Sequence, residues 1–230
     1  MPDFSSFEDL IGVHFINPLL LQTAFTHRSY INENSGITSG HNERLEFLGD
    51  AVLELVITRY LFDKYPEKPE GELTAYRSSL VNTTSLAESA EKLGMNEYLL
   101  LSKGEARDTG KARHYILADA FEAVIGAIYL DQGYDGATQF IADNLYKKID
   151  LIVKKSLWRD AKSFVQEKAQ EIVGTTPSYE VLSEVGPDHD KNFTIGIYFG
   201  SELIAEGKGK SKQEAEQTAA RNALDKKGWE

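Results

Sequence analysis

Four acidic residues stand where chemistry is possible. Glu46 and Asp50 are four residues apart, and Asp119 and Glu122 are three apart. Either spacing puts a pair on one face of a helix. Each pair abuts apolar sequence, AVLELV after Asp50 and AVIGAIYL after Glu122. Carboxylates carried toward a core are costly unless they take up protons or meet a cation. Magnesium suits such a set, because it prefers oxygen ligands, keeps some waters and takes a few carboxylates. If the two helices face each other, four carboxylates surround one site able to acidify water and stabilise a phosphodiester transition state. Taken singly, each pair also reads as a solvated helix face. A helical nucleotide pyrophosphohydrolase would group acids in the same way. A di-iron bundle would need Glu-x-x-His, which is absent here.

The elements that must position these acids fall into two halves. Up to about residue 155 the chain reads as successive helices. PLLLQTAFTHRSYINE starts with Pro18 at a plausible first helical position. HNERLEFLGDAVLELVITRYLF, GELTAYRSSLVNTTSLAESAEKLG, YILADAFEAVIGAIYLDQG and DGATQFIADNLYKKIDLIVKK come after it. Gly94 and Gly133 stand where C-terminal caps belong. Near Trp158 the pattern changes. DAKSFVQEKAQEIVG reads as a helix ending at Gly174, and PSYEVLSEVG, NFTIGIYFG and ELIAEGKG read as short strands. SKQEAEQTAARNALDKKG is a helix with Ser211 as N-cap and Glu214 completing a capping box. The expected class is α+β: an all-helical domain over 1–154, a linker over 155–159, and an α-β-β-β-α domain over 160–230.

Composition narrows the function. The chain has no cysteine, which removes disulfides, thiolate catalysis and zinc-thiolate sites. No apolar run reaches membrane-spanning length and no export signal is visible at the N-terminus, so a cytoplasmic protein without membrane contact is expected. The net charge of −11 argues against a general polyanion binder, so a nucleic-acid surface must be a local patch.

NERLEFLGD, from Asn42 to Asp50, resembles the signature of the ribonuclease III family without a mismatch. AFTHRSY before it, and PEGELTAYRSSLVN and LADAFEAVIGAIYLDQG after it, occur in the family's order. The C-terminal half resembles the double-stranded RNA-binding domain of bacterial members. The resemblance implies a magnesium-dependent endoribonuclease for double-stranded RNA, with manganese able to substitute, working as a homodimer. It implies 5′-phosphate and 3′-hydroxyl ends with a two-nucleotide 3′ overhang, and structured precursors such as ribosomal RNA as substrates. Glu46, Asp50, Asp119 and Glu122 match the metal ligands, with Asp50 and Glu122 the least dispensable. Glu43 and Glu70 match further acids of the catalytic valley. Phe47 matches an aromatic that plugs into the partner subunit. Lys111 and Arg113, at a helix start, are expected to hold phosphates, whereas His27 and His41 read as structural. A binding protein that has lost its chemistry is the alternative, and the intact acids speak against it.

Double-stranded RNA is read by shape, through 2′-hydroxyls in two minor grooves and the phosphates between them. Ser163, Gln166 and Gln170 lie three and four apart on one helix face and suit 2′-hydroxyls. The loop VGPDHDKN would carry His189 into the second minor groove. Lys208, Lys210 and Lys212, with Ser211, would stand over the phosphates at a helix start. All match positions the family uses. Many relatives have a second lysine where this chain has Gln213, and Asp188, Asp190, Glu214 and Glu216 flank the basic residues. Fewer cations mean fewer released counterions, which predicts lower RNA affinity, or activity more sensitive to salt, than a more basic relative would show.

Overall fold

The computed structural model describes residues 2–34, 40–107, 109–154, 158, 160–187 and 191–229. His189, Asp188 and Asp190 lie outside the described residues. The chain divides into two units, Met1–Lys155 and Ser156–Glu230.

The first unit is helical throughout: α1 (Phe4–Ile11), α2 (Pro18–Ala24), α3 (Arg28–Glu33), α4 (Glu43–Lys64), α5 (Glu70–Leu80), α6 (Thr83–Lys92), α7 (Lys111–Ile141) and α8 (Lys147–Lys154). Asp3 caps α1 by accepting from Ser5 N, and Phe7 then packs edge-on against Phe25 at 4.9 Å. Two helical runs read from the sequence as continuous are broken. Between α2 and α3, Leu100 N donates to Phe25 O and His27 N to Leu100 O, while Asn42 N donates to Thr26 O. Long-range main-chain bonds therefore break the helix after Phe25 and hold His27 extended, against local helical preference. Between α5 and α6, the Asn82 side chain accepts from Ser85 N at 2.9 Å and restarts the helix as an N-cap. Gly133 has φ 77° and ψ −169°, which ends the first part of α7 where a cap was expected. No helix among the described residues is long and apolar enough to cross a membrane.

The core of this unit is the crossing of α4 and α7. Leu45, Val52, Leu53, Val56 and Ile57 from α4 are buried with Leu117, Phe121, Val124, Ile125 and Ile128 from α7. Gly49 and Gly126 lie at the crossing. A Cβ on Gly126 would lie 3.1 Å from the Leu45 carbonyl carbon and 3.2 Å from Gly49 N, so here main chain packs on main chain. A helix-interior glycine costs about 1 kcal/mol relative to alanine. The close approach is what two of them provide.

The second unit is α9 (Ala161–Val173), β1 (Pro177–Val185), β2 (Asn192–Phe199), β3 (Glu202–Gly209) and α10 (Lys212–Lys227). The sheet is antiparallel in the order β1-β2-β3. Gly174 at φ 70° ends α9 as the sequence predicts. Val165 and Ala169 of α9 meet Ile197, Phe199 and Ile204 of the sheet and Ala219, Ala220 and Ala223 of α10 in one core. The alanine stripe lets α10 lie close on the strands. Ser211 accepts from Glu214 N at 3.2 Å as expected, but the Glu214 carboxylate returns to Lys210 N at 2.7 Å rather than to Ser211 N.

Candidate active site

The first turn of α4 carries Glu43 and Glu46, where the positive end of the helix dipole favours carboxylates. One turn on, Gly49 lets α7 approach, with Leu45 against Gly126 and Gly49 against Glu122. The acid-bearing faces of the two helices therefore meet. Carboxylate oxygens of Glu46, Asp119 and Glu122 all lie within 4.8 Å of one another. Asp50 is outside this tightest group and more exposed, yet its charge acts on both Glu46 and Glu122.

Burial and crowding raise every pKa in the set. Glu122 is pushed up to about 8, first by burial and then by Asp50, Asp119 and Glu46. Glu46 is raised by burial and by Asp119, Glu43 and Asp50. Asp50 is raised by burial and by Glu54 one turn along α4. Asp119 is raised by burial, and the nearby His27 works in the opposite sense. His27 accepts from Ser29 N at 3.3 Å, and its Nδ1 lies 2.8 Å from Ser29 Oγ. The residue read from sequence as merely structural thus also sits beside the acids.

These residues fit a hard divalent cation. The donors are oxygens from three carboxylates, close enough to share one ion. Without a cation, burial first and the neighbouring carboxylates second push Glu122 up to about 8.

The remaining expected site residues are spread more widely. Glu43 is exposed, 3.3 Å from the Arg28 guanidinium and 3.7 Å from His41 Nδ1. Glu70 does not join the cluster within this chain. It opens α5, accepts from Thr74 Oγ1 at 3.0 Å, and lines a cleft of about 460 Å³ with Thr58, Leu61, Phe62, Leu73 and Arg77. Thr58 to Phe62 lie some three to four turns of α4 beyond Glu46, roughly 20 Å away at helical rise. Phe47 is 81% exposed, beside Glu46 in sequence. Lys111 is exposed at the start of α7.

Arg113 requires a correction. It is buried, donating to Asn96 Oδ1 at 3.1 Å and to Glu105 O at 2.6 Å. Its guanidinium holds the segment before α7 together rather than facing solvent, so it is not a phosphate ligand.

In the second unit Ser163, Gln166 and Gln170 are exposed on one face of α9, opposite the buried Val165 and Ala169. Gln170 Nε2 donates to Thr176 Oγ1 at 3.3 Å. Lys208, Lys210 and Lys212 are exposed around the start of α10. Lys212 pairs with Glu184 at 3.2 Å.

Gly49, Gly126 and the placement of His27 were missed by sequence reasoning. The signal for the glycines was present: each acid-bearing helix holds a glycine three or four residues after an acid, set among strong helix formers.

Residues 17–149 match the family described as ribonuclease-III-like, and residues 161–227 match the double-stranded RNA binding motif. The chain belongs to the ribonuclease III family. It is 46% identical over 219 residues to "Ribonuclease 3" of Protochlamydia amoebophila, covering 95% of this chain and 90% of that one. It is 47% identical over 220 residues to "Ribonuclease 3" of Carboxydothermus hydrogenoformans, covering 96% and 94%. A solved nuclease domain of ribonuclease III from Campylobacter jejuni, whose description concerns a region involved in dimer formation, is 40% identical with TM-score 0.56. It covers 62% of this chain and 98% of that one. As a member of this family with both of its units, the chain is an endoribonuclease acting on double-stranded RNA.

Proposed function

We propose that the chain hydrolyses duplex RNA as a magnesium-dependent homodimer, with Glu46, Asp50, Asp119 and Glu122 holding the cation and manganese able to replace it. The supporting observation is the convergence of Glu46, Asp119 and Glu122 on one point with Glu122 pushed up to about 8. The cation, when bound, supplies charge stabilisation at phosphorus and an acidified water. The chain's own residues do the rest. The glycine crossing fixes the spacing of the carboxylates. Asp50, more exposed than its neighbours, faces the approaching phosphate and water. His27, fixed by Ser29, steadies the charged form of Asp119. Ser163, Gln166, Gln170, Lys208, Lys210, Ser211 and Lys212 hold the duplex, and Lys111 meets the backbone near the acids.

The dimer is inferred from Phe47 and the cleft at α5. An exposed phenylalanine and an apolar cleft on one chain are the two halves of a self-complementary contact. Phe47 of one protomer entering the cleft of its partner would bring that partner's Glu70 beside Glu46 and Asp50. This gives Glu70 a role it does not have within a single chain, and gives the dimer two sites, one per strand. Products would carry 5′-phosphate and 3′-hydroxyl ends with a short 3′ overhang. We place the enzyme in the cytoplasm, acting on structured precursors such as ribosomal RNA.

The test is long duplex RNA with and without magnesium, beside a nucleotide triphosphate. Staggered duplex products that require the metal are expected. Bound but uncut RNA, or hydrolysis of the nucleotide, would overturn the reading. Glu122→Gln should abolish cutting while duplex binding persists, because the amide keeps the size but not the charge.

A further inference from the structure

Lys212 opens α10 at the point where the proposed function puts an RNA phosphate, and the role inferred for its ion pair rests on that reading. In the free chain its ammonium is already engaged. Glu184 Oε1 lies 3.2 Å from Lys212 Nζ, and Glu184 Oε2 lies 3.9 Å from Lys191 Nζ. Glu184 stands near the end of β1, paired in register with Phe193 of β2. Lys212 Nζ lies 5.7 Å from the centre of the Phe193 ring. The ammonium is therefore held between a carboxylate and an aromatic ring, both supplied by the sheet. The two partners are 57% and 39% exposed, so RNA can reach the pair.

The three lysines expected over the phosphates are not equivalent. Among the described residues Lys208 has no charged partner, whereas Lys212 carries Glu184 against it. A phosphate arriving at Lys212 must displace that carboxylate or share the cation with it, and the carboxylate stays close enough to repel the phosphate. We infer that Glu184 is an internal competitor for the phosphate at Lys212, and so a residue that sets the duplex-RNA affinity of this chain. Such a pair lowers affinity without removing the cation. A duplex must then engage the other contacts at the same time to open it, which favours regular helices over short or distorted ones.

The experiment measures binding of a blunt RNA duplex to the full chain without divalent metal, so that nothing is cut, over a range of salt concentrations. Glu184→Gln should tighten binding roughly two- to fivefold at low salt, the range of an exposed ion pair. It should also steepen the salt dependence by about one released counterion. Glu180→Gln removes the same charge from an exposed position on the same strand and should change affinity by less than about twofold. Lys212→Ala should weaken binding, and adding Glu184→Gln to it should restore nothing. An unchanged affinity in Glu184→Gln, an equal gain in Glu180→Gln, or a gain that survives in the Lys212→Ala background would each overturn the inference. If Lys212→Ala itself binds as tightly as the parent, the phosphate role of Lys212 fails first and takes the inference with it.

Discussion

Gly49 packs directly on the main-chain carbonyl of Glu122, with no room between them for a methyl group. A Cβ on Gly49 would also lie 2.9 Å from Gly126 N. Both neighbours are helix backbone, which cannot swing aside as a side chain can. The relationship couples structure to chemistry, because the residue that sets the helix separation touches a proposed metal ligand.

Gly49→Ala therefore forces α4 and α7 apart and spreads the carboxylates. Overpacking of this kind costs about 1–3 kcal/mol. A misplacement of about 1 Å at a catalytic site can cost roughly a hundredfold in rate. The expected result is a lower Tm together with cutting reduced by about two orders of magnitude. A variant that melts and cuts like the parent would show that the crossing does not set the site.

The raised Glu122 pKa makes stability depend on pH in a definite direction. Its ordinary value is 4.5 and its value in the fold is about 8. Between these limits the folded chain keeps a proton that the unfolded chain has lost. Folding is thus favoured below the window, and this contribution is lost as pH rises through it. In metal-free protein, Tm should fall from the lower to the upper end of the window. Glu122→Gln should flatten that fall. Cation binding must expel the same proton, so magnesium affinity should rise with pH over this range, and calorimetry in buffers of different ionisation heat should detect proton release. A metal-free Tm that rises across the window would contradict the assignment.

Much of this arrangement was legible in the sequence. The acid spacings, the caps at Gly94, Gly133 and Gly174, the N-cap at Ser211 and the three strands are all local signals, and local chemistry decided each of them. The failures share a cause. The breaks at 25–27 and at Asn82 interrupt segments with helical preference; the first is imposed by main-chain bonds to Leu100 and Asn42, partners remote in sequence. Arg113 looked like a phosphate ligand because basic residues near a helix start usually face water. Its burial depends on the segment carrying Asn96 and Glu105 folding over it. Glu70 matched an acid of the site, yet within one chain it lines the cleft with Thr58 and Phe62 and stays outside the cluster of Glu46, Asp119 and Glu122; in the proposed dimer its place depends on a second copy.

That dependence can be tested by mixing defective chains. If Glu70 serves the partner's site, a dimer of one Glu122→Gln chain and one Glu70→Ala chain contains one wholly intact site and one doubly damaged site. Each variant alone should cut poorly. The mixed dimer should recover nicking of one strand, approaching half the parental rate if the sites act independently. If Glu70 served its own chain, both mixed sites would stay damaged and mixing would restore nothing. Phe47→Ala should shift sedimentation toward monomer and abolish the recovery, because it removes the contact that brings the chains together. A Phe47→Ala protein that remains dimeric and active would place the interface elsewhere.

Gln213 offers a test of whether a shortage of cations limits RNA binding. It is exposed in the first turn of α10, directly after Lys212. A lysine there would face the unfavourable end of the helix dipole, at a cost of about 0.3–1 kcal/mol in the free protein. On the duplex, that cation would meet phosphate and release about one more counterion. Gln213→Lys should therefore lower Tm slightly while raising duplex affinity several-fold at low salt, with the gain shrinking as salt is added. A Gln213→Lys protein with no gain in affinity would mean that the number of cations at the start of α10 does not set binding strength.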